Sequence, residues 1–222
     1  MRSRRSAIWV LGAALVAAAC SRKPASIDHV QAAALPLVAL TAWQCLVDTA
    51  GVRPGQRVLV HAAAGGVGHV AVQIAKARGA HVIGTASAPK HDLVRALGAD
   101  EMIDYTTVDF AEAVREVDVA FDTVGGDYGR RSLRTLKDGG TLVSIVPPVT
   151  DELRAEAAER GIATGWTLVE PDYAALKEIV ALVESGALHA EIDTVLPLEE
   201  AAKAHSLGET GRTTGKIVLT VG

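Results

Sequence analysis

A glycine-rich segment early in the chain, HAAAGGVGHVAVQIAKARGA at residues 61–80, places the strongest constraint on its fold. It overlaps the end of a continuous apolar run, RVLVHAA at 57–63, which is typical of a strand buried on both faces of a parallel sheet. Apolar residues then recur with a helical period over 66–78. A glycine loop between a buried strand and a helix indicates the start of a βαβ unit.

The alternation of apolar runs and helical stretches continues as far as Pro148. Alternating strands and helices predict an α/β fold, a doubly wound parallel sheet of the Rossmann type. The predicted strands lie at 57–63, 81–87, 101–105, 117–125 and 140–148. The predicted helices cover 66–78, 90–97, a short stretch opened by Asp109 and Glu112 as a capping box, and a region near 127–137.

Beyond Pro148 the pattern predicts a different set of elements. A charged helix over 151–160 precedes a strand around 162–169, and a longer helix opens at Asp172 and closes at Gly186. The segment IDTVLPLEEAAKAH then predicts a strand, a turn and a helix, and GKIVLTV predicts a terminal strand.

The composition excludes several classes of function. With 49% hydrophobic residues in 222, the chain can bury one sizeable core together with a smaller appendage. A net charge of -4 and an aromatic content of 4% argue against a nucleic-acid partner, which requires a basic surface or stacking platforms. The cysteines, Cys20 and Cys45, and the scattered histidines lack metal-ligand spacing, so no metal site is predicted.

The first residues form a separate leader, 1–22, which we leave out of the fold. A basic start precedes an apolar run at 7–19, which is shorter than the roughly 20 residues that span a bilayer. Small residues before Cys20 resemble a bacterial lipoprotein signal, which would anchor the protein to a membrane. The alternative, which we favour, is a spurious leader from a truncated or misassigned start, and it predicts a cytoplasmic protein.

The glycine loop fits the G-x-G-x-x-G dinucleotide motif, with Ala63 in place of the first glycine. Gly65 would let a diphosphate approach the backbone, and Gly68 would let the helix pack closely on the strand. The positive end of the helix dipole and the unpaired amides there would bind the anion. The alternative interpretation is a tight structural turn that binds no ligand.

The end of the second predicted strand indicates which dinucleotide binds. NAD enzymes carry an acidic residue at this point to bind the adenosine ribose, whereas this chain has Ser87. A carboxylate about 4 Å from a phosphate charge would be repelled by about 4 kcal/mol at an effective dielectric constant near 20. Because that acid is absent, and Ser87 and Lys90 can bind a 2′-phosphate, the sequence predicts NADP(H). The alternative for Lys90 is an ordinary solvated lysine.

Further segments of the chain carry a family resemblance: AALPLVALTAWQCL, VLVHAAAGGVGHVAVQIAKARGA, LVRALGADEMIDY, VAFDTVGG and GRTTGKIVL. In this order they resemble the medium-chain dehydrogenase/reductase superfamily and, within it, the zinc-independent quinone oxidoreductase branch. The resemblance runs from about Lys23 to the C-terminus. The AAxGGVG loop and the closing GKxVL strand are specific when they occur together.

The resemblance implies an NADPH-dependent oxidoreductase that transfers hydride to a quinone, an enone or a similar activated double bond of a small molecule. It also implies a homodimer. No catalytic residue is assigned, because the cofactor supplies the chemistry. The implied cofactor-binding residues are Ala64, Gly65, Gly66, Val67 and Gly68 for the diphosphate, Ser87, Lys90 and Tyr105 for the 2′-phosphate, and Thr41, Val124 and Val146 for the nicotinamide and its crevice.

Several of these assignments have ordinary structural alternatives. Thr41, which we place at the start of a helix in LTAW, could be a simple helix residue. Tyr105 could be a strand aromatic that faces a neighbour. Val124 and Val146, at the ends of the fourth and fifth predicted strands, could belong to the core.

The chain departs from the family pattern at its front. Family members carry an N-terminal barrel-like catalytic domain of ordinary domain size, roughly a hundred residues or more, before the matching region. We therefore expect a truncated chain, with a dinucleotide-binding domain and its leading helix at 23–170 and a C-terminal segment at 171–222 that would pack on a catalytic domain. The alternative function is a non-catalytic NADP-binding protein.

Overall fold

The computed structural model describes residues 23–146 and 149–221. The leader at 1–22, including Cys20, lies outside the described residues, so the choice between a lipoprotein signal and a spurious leader stays open.

The helices and strands alternate through most of the chain. The helices are α1 (His29–Trp43), α2 (Gly68–Ala77), α3 (His91–Ala96), α4 (Phe110–Ala113), α5 (Tyr128–Leu133), α6 (Asp151–Ala158), α7 (Tyr173–Glu184) and α8 (Ala201–Glu209). The strands are β1 (Arg57–Val60), β2 (His81–Ala86), β3 (Glu101–Asp104), β4 (Val117–Asp122), β5 (Leu136–Ser144), β6 (Ala163–Trp166), β7 (Ile192–Pro197) and β8 (Lys216–Thr220). A π-helical segment, Gln44–Thr49, extends α1, and short 3-10 turns form at Ala88–Lys90 and Leu198–Glu200.

The main sheet is parallel and six-stranded, in the order β3-β2-β1-β4-β5-β6. This order confirms the predicted doubly wound α/β fold and adds β6 to the five strands expected before Pro148. Val60 lies opposite Gly84 of β2 and Phe121 of β4, so these strands end at one edge of the sheet. The strand order reverses between β1 and β4, and ligands bind in the crevice at such a reversal.

Side chains alternate between the two faces of the sheet, and each face is covered. Val58 and Val60 belong to a buried cluster that includes residues of α1, α2 and α7. Leu59, between them, belongs to a second cluster with residues of α4, α5 and α6. These three side chains are fully buried, and each such side chain contributes about 1.5–3 kcal/mol to stability.

Several predicted boundaries are wrong by a few residues; for example, β5 runs over Leu136–Ser144 rather than 140–148. Two of these differences have identifiable reasons. The first strand ends at Val60 rather than at residue 63, because Ala62 turns the chain with a φ of 46°. The helix predicted near 127–137 ends at Leu133, because β5 begins as early as Leu136.

The predicted capping box forms only in part. Asp109 is the N-cap of α4, and its carboxylate accepts the amide of Ala111 at 2.9 Å. The carboxylate of Glu112 instead bonds the guanidinium groups of Arg115 and Arg134. Arg134 comes from beyond α5, so the local pattern could not show this competing partner.

The C-terminal segment shares its core with the dinucleotide-binding fold. β7 and β8 form a separate two-stranded parallel sheet, and Val218 of β8 lies in the same buried cluster as Val58. Gln73 of α2 donates to the carbonyl of His189 at 2.9 Å and accepts its amide at 3.0 Å. Gln31 of α1 bonds both backbone groups of the next residue, Ala190, in the same way. Packing of 171–222 on a catalytic domain stays a prediction.

The long helical stretch His29–Thr49 is apolar and long enough to cross a membrane by length and composition. About half of its most apolar window, 56%, is buried inside the fold. The buried residues of this stretch therefore belong to the hydrophobic core.

Candidate functional site

The loop after β1 is fixed by both neighbouring strands. The amide of His61 donates to the carbonyl of Phe121 in β4 at 3.1 Å. On the other side, the amide of Ala62 donates to the hydroxyl of Thr85 at 3.2 Å, and the amide of Ala63 donates to the carbonyl of Thr85 at 2.9 Å. These bonds hold the loop at the carboxyl edge of the sheet, where the strand order reverses.

Close packing requires glycine at position 68, where α2 begins. A Cβ there would overlap the carbonyl oxygen of Ala62 and lie 2.9 Å from the Cα of Ala63. The structure therefore bears out the packing reason that the motif gives for Gly68. Contact between residues 64–68 and a cofactor stays a prediction.

The amides at the mouth of the loop are available to a ligand. Within the described part of the chain, the amides of Gly66 and Val67 donate to no backbone carbonyl. Val67 is the N-cap of α2 and supplies no side-chain cap. The loop thus combines unbonded amides with the positive end of a helix, an arrangement that binds phosphate groups.

A cation from the far end of the chain reaches the same loop. The amide of Gly215 donates to the carbonyl of Ala64 at 2.9 Å, which brings β8 against the loop. A Cβ on Gly66 would lie 3.7 Å from Nζ of Lys216. Burial lowers the pKa of Lys216 from its ordinary value. The motif GKIVL did not predict a role for Lys216, because its contact with the loop at Gly66 joins segments about 150 residues apart along the chain.

The histidines near the loop have structural roles. His61 is fully buried between the hydroxyls of Ser132, at 2.8 Å, and Thr85, at 3.3 Å. Burial lowers its pKa to about 3, so it is neutral at physiological pH. His69 is also buried, and its Nδ1 bonds the carbonyl of Gly65 at 2.8 Å.

The end of β2 carries the residues predicted to meet a 2′-phosphate. Ser87 is half-buried and precedes the 3-10 turn without capping it. Nζ of Lys90 donates to the carbonyls of Arg212, at 2.7 Å, and Thr213, at 3.2 Å. Burial lowers the pKa of Lys90, while Asp193 acts in the opposite direction. The ammonium of Lys90 is therefore bonded to two backbone carbonyls, and its contact with a 2′-phosphate stays a prediction.

Two charged residues beside this turn were missed from the sequence. Arg212 is exposed and stands next to Lys90 through the bond to its carbonyl. Asp104 ends β3 and lies opposite Ala86 of β2 in the strand register. The motif IDY drew attention only to its tyrosine, although Asp104 is the residue before it.

The remaining predicted residues line the same edge of the sheet with one exception. Tyr105 follows β3 and is 48% exposed, and Val124 follows β4 and is 42% exposed. Val146 follows β5 and packs on Gly125, where a Cβ would come 2.7 Å from its Cγ1. The turn that carries Val124 is fixed by Asp122, which accepts the amides of Val124 and Gly125 at 2.9 Å.

The exception is Thr41, whose placement at the start of a helix is wrong. The helix α1 begins at His29 and continues through Pro36, so Thr41 lies near its end. Its side chain is buried, and its hydroxyl donates to the carbonyl of Leu37 at 2.7 Å. A proline normally interrupts a helix, whereas Pro36 lies inside α1. A contact of Thr41 with the nicotinamide stays a prediction.

The chain is similar to known oxidoreductases over most of its length. The family model for zinc-binding dehydrogenases matches residues 97–219. The NAD(P)H oxidoreductase RTN4IP1 of mouse mitochondria (Mus musculus) is 35% identical over 90% of this chain and 58% of its own length. A 2-haloacrylate reductase of a Burkholderia species is 36% identical over 89% of this chain and 65% of its own length.

A solved structure shows the same fold. The quinone oxidoreductase from Coxiella burnetii superposes with a TM-score of 0.85 at 38% identity, over 91% of this chain and 64% of that one. The chain therefore spans about 58–65% of the length of these three relatives.

Proposed function

The chain belongs to the zinc-binding dehydrogenase family of the medium-chain dehydrogenase/reductase superfamily, and on that premise we propose that it binds NADPH and works as an oxidoreductase. The observation that carries the proposal is the glycine loop, where unbonded amides of Gly66 and Val67 and the ammonium of Lys216 meet at the start of α2. Positive charge and free amides suit the diphosphate of a nicotinamide dinucleotide.

The residues at the end of β2 are the basis on which we propose a preference for NADPH over NADH. A serine stands where an acidic residue would hydrogen-bond the ribose of NAD. Lys90 follows Ser87 in the same turn, where its amide donates to the carbonyl of Ser87 at 2.9 Å, and Arg212 is the residue whose backbone carbonyl the Lys90 ammonium contacts. Cations attract the two charges that a 2′-phosphate adds. The tyrosine at 105 is exposed at the neighbouring strand end, where its hydroxyl can donate to the same phosphate.

The family name implies zinc, and the described residues do not fit a zinc site. Among residues 23–146 and 149–221, no three His, Cys, Asp or Glu side chains are grouped so as to hold a metal ion. Structural and catalytic zinc sites need three or four such ligands. No step of the proposal passes through a metal.

We propose a quinone, an enone or a similar activated double bond as the substrate class. The names of the relatives support this choice, since one is a quinone oxidoreductase and another a 2-haloacrylate reductase. When bound, the nicotinamide supplies the hydride. The part of this chain is to bind and orient: the loop and Lys216 neutralise the diphosphate, while Val124 and Val146 supply apolar surface at the crevice.

A measurement of NADPH oxidation tests the proposed oxidoreductase activity. The purified chain is mixed with NADPH and a panel of quinones, enones and 2-haloacrylate, and the absorbance of the reduced nicotinamide is followed with time. Oxidation that needs both NADPH and an acceptor supports the oxidoreductase. Binding of NADPH without oxidation by any acceptor would favour the second candidate, a non-catalytic NADP-binding protein.

We also propose a homodimer that forms along β6. This strand is an edge of the main sheet, and edge strands present unpaired backbone groups that pair readily with another strand. Apolar side chains are exposed nearby: Trp166 is 44%, Leu168 58% and Tyr173 55% exposed. A second copy related by a two-fold axis would cover this surface with the same surface.

A further inference from the structure

We propose that Asp104 sets how strongly the site prefers a 2′-phosphorylated dinucleotide, because its carboxylate is a fixed negative charge beside the turn that would hold the 2′-phosphate. The inference rests on the proposed function and adds a specificity-determining residue to it. The expected consequence is a protein that uses NADPH by preference and retains measurable affinity for NADH.

The position of Asp104 follows from the strand register. It pairs with Ala86, the last residue of β2, so the two strands end side by side. The backbone amide of Ala88 lies close enough to the Asp104 carboxylate to lower the pKa of that carboxyl. Since Ala88 follows Ser87 directly, the Asp104 carboxylate lies near the serine that is predicted to bind the phosphate.

Asp104 is ionised and held in place. Its Oδ1 accepts the hydroxyl of Thr106 at 2.6 Å and the amide of Thr106 at 3.0 Å. These two bonds from Thr106 are the main reason that the pKa of the Asp104 carboxyl is lowered from its ordinary value. Desolvation opposes them, and the nearby amide of Ala88 and the charge of His91 lower the pKa further. The carboxylate is therefore charged at neutral pH.

The hydrogen bonds also decide how Asp104 can act on a dinucleotide. In NAD enzymes the acid at the end of the second strand accepts the ribose hydroxyls directly. The Oδ1 of Asp104 already accepts the hydroxyl and the amide of Thr106, and the amide of Ala88 lies close to the same carboxylate. Its influence on a neighbouring phosphate is thus expected to be electrostatic rather than through a bond to the ribose.

The charges that face this turn come from several elements. Lys90 lies on the turn itself and Arg212 in the loop before β8. His91 opens α3, and its Nε2 bonds the carbonyl of Ala86 at 3.0 Å. Asp193 of β7 also acts on Lys90. Asp104 adds a negative charge to this mixed set, and a 2′-phosphate with its two negative charges would feel it about twice as strongly as a single charge would.

The variant Asp104→Asn separates the effect of the negative charge at position 104 from the effect of its hydrogen bonds. Asparagine keeps an oxygen that accepts the hydroxyl and the amide of Thr106, and it removes the negative charge. The matched control is Asp92→Asn in the first turn of α3, which removes one negative charge from a fully exposed carboxylate paired with Arg95. Asp104→Ser, which also lacks the charge and retains an oxygen acceptor, serves if the asparagine variant does not fold.

The experiment is a set of calorimetric titrations with NADPH, NADH, 2′-AMP and 5′-AMP. We expect Asp104→Asn to bind NADPH and 2′-AMP about three- to tenfold more tightly, as expected for one charge removed near a phosphate. The constants for NADH and 5′-AMP should change by less than about twofold, and Asp92→Asn should change none of the four by more than that.

The outcomes distinguish this inference from the proposed function. If the wild-type chain binds neither NADPH nor NADH, the proposed function fails and the inference fails with it. If the wild type binds NADPH and the uncharged variants bind NADPH no better, the inference alone is wrong. If the variants lose NADH affinity, Asp104 is a direct ribose ligand, which also overturns the inference.

Discussion

The backbone amide of Gly215 donates to the carbonyl of Ala64 at 2.9 Å, and this bond joins the last strand pair directly to the glycine loop. Gly215 has a φ of 68°, and a Cβ there would overlap the carbonyl oxygen of Glu191. The loop is therefore positioned from three sides, by β2, by β4 and by the C-terminal segment. A site built this way depends on residues that are far apart along the chain.

The first prediction concerns the packing of α2 on the loop. Gly68→Ala would place a methyl group against the backbone of Ala62 and Ala63, which has no room to move. We expect a loss of about 2 kcal/mol or more in the free energy of unfolding, measured by urea titration, together with weaker NADPH binding. The control is Gly208→Ala in α8, where no atom lies within 4 Å of the added Cβ. That change should be neutral or stabilising by up to about 1 kcal/mol.

The second prediction concerns Lys216 and the diphosphate. Lys216→Met keeps the apolar stem and removes the ammonium near Gly66. Since NADPH and NADH share the diphosphate, their dissociation constants should rise by the same factor, on the order of tenfold. Lys203→Met, at an exposed lysine paired with Glu200, should leave both constants unchanged. A loss confined to NADPH would place Lys216 at the 2′-phosphate instead.

The third prediction tests whether the residues at the end of β2 discriminate between NADPH and NADH. Ser87→Asp adds a carboxylate where the 2′-phosphate is proposed to bind, and repulsion should weaken NADPH binding by about tenfold or more. NADH, which has a hydroxyl at that position, should change by less than about twofold. Ser206→Asp on the exposed surface of α8 is the control for the added charge. Equal losses of NADPH and NADH would argue against a 2′-phosphate site at Ser87.

The fourth prediction is a pH dependence of stability. The pKa of His61 is lowered to about 3 from 6.5, so between these values the unfolded chain binds a proton that the folded chain does not. The stabilisation is complete above about pH 6.5 and is lost as the pH falls toward 3, with an upper limit of about 5 kcal/mol. His61→Gln, which cannot be protonated, should show a smaller loss of unfolding free energy between pH 7 and 4.

The matched control for that measurement is Ser206→Ala on the exposed surface of α8, which changes no titratable group. Its pH profile should follow that of the wild type. An unchanged slope in His61→Gln would show that other groups, such as the buried His69, account for the loss of stability in acid.

The fifth prediction concerns the dimer along β6. Trp166→Glu combined with Leu168→Glu puts two charges into the proposed contact, and sedimentation should change from dimer to monomer. Val108→Glu, at a residue 43% exposed before α4, should leave the dimer intact. A wild-type chain that sediments as a monomer at micromolar concentration would contradict the dimer itself.

The sequence predicted the features that local pattern determines. Apolar runs separated by helical stretches indicated the doubly wound sheet, and the close packing at Gly68 was expected from the loop between β1 and α2. Asp109 was recognised as a cap from Glu112 three residues on, and in the structure its carboxylate accepts the amide of Ala111, two residues away. These signals lie within short windows of the chain.

Contacts between distant segments could not be predicted in the same way. Lys216 lies near the glycine loop, and Arg212 lies near Lys90 at the end of β2, only because the chain returns to this edge of the sheet after β7. Asp104 lies beside the end of β2, close to Ser87, because of the register in which β2 pairs with β3. Thr41 was misplaced because the buried helix α1 accommodates Pro36. In each case tertiary packing decided the outcome.

The central claim is that the loop at residues 64–68 binds the diphosphate of a phosphorylated nicotinamide dinucleotide. Calorimetric titration of the purified, folded chain with NADPH tests it most directly. The account predicts saturable binding of one NADPH per chain, with a lower dissociation constant than for NADH. No detectable binding of NADPH at about millimolar concentration, where even an interaction of about 4 kcal/mol would be seen, would contradict it.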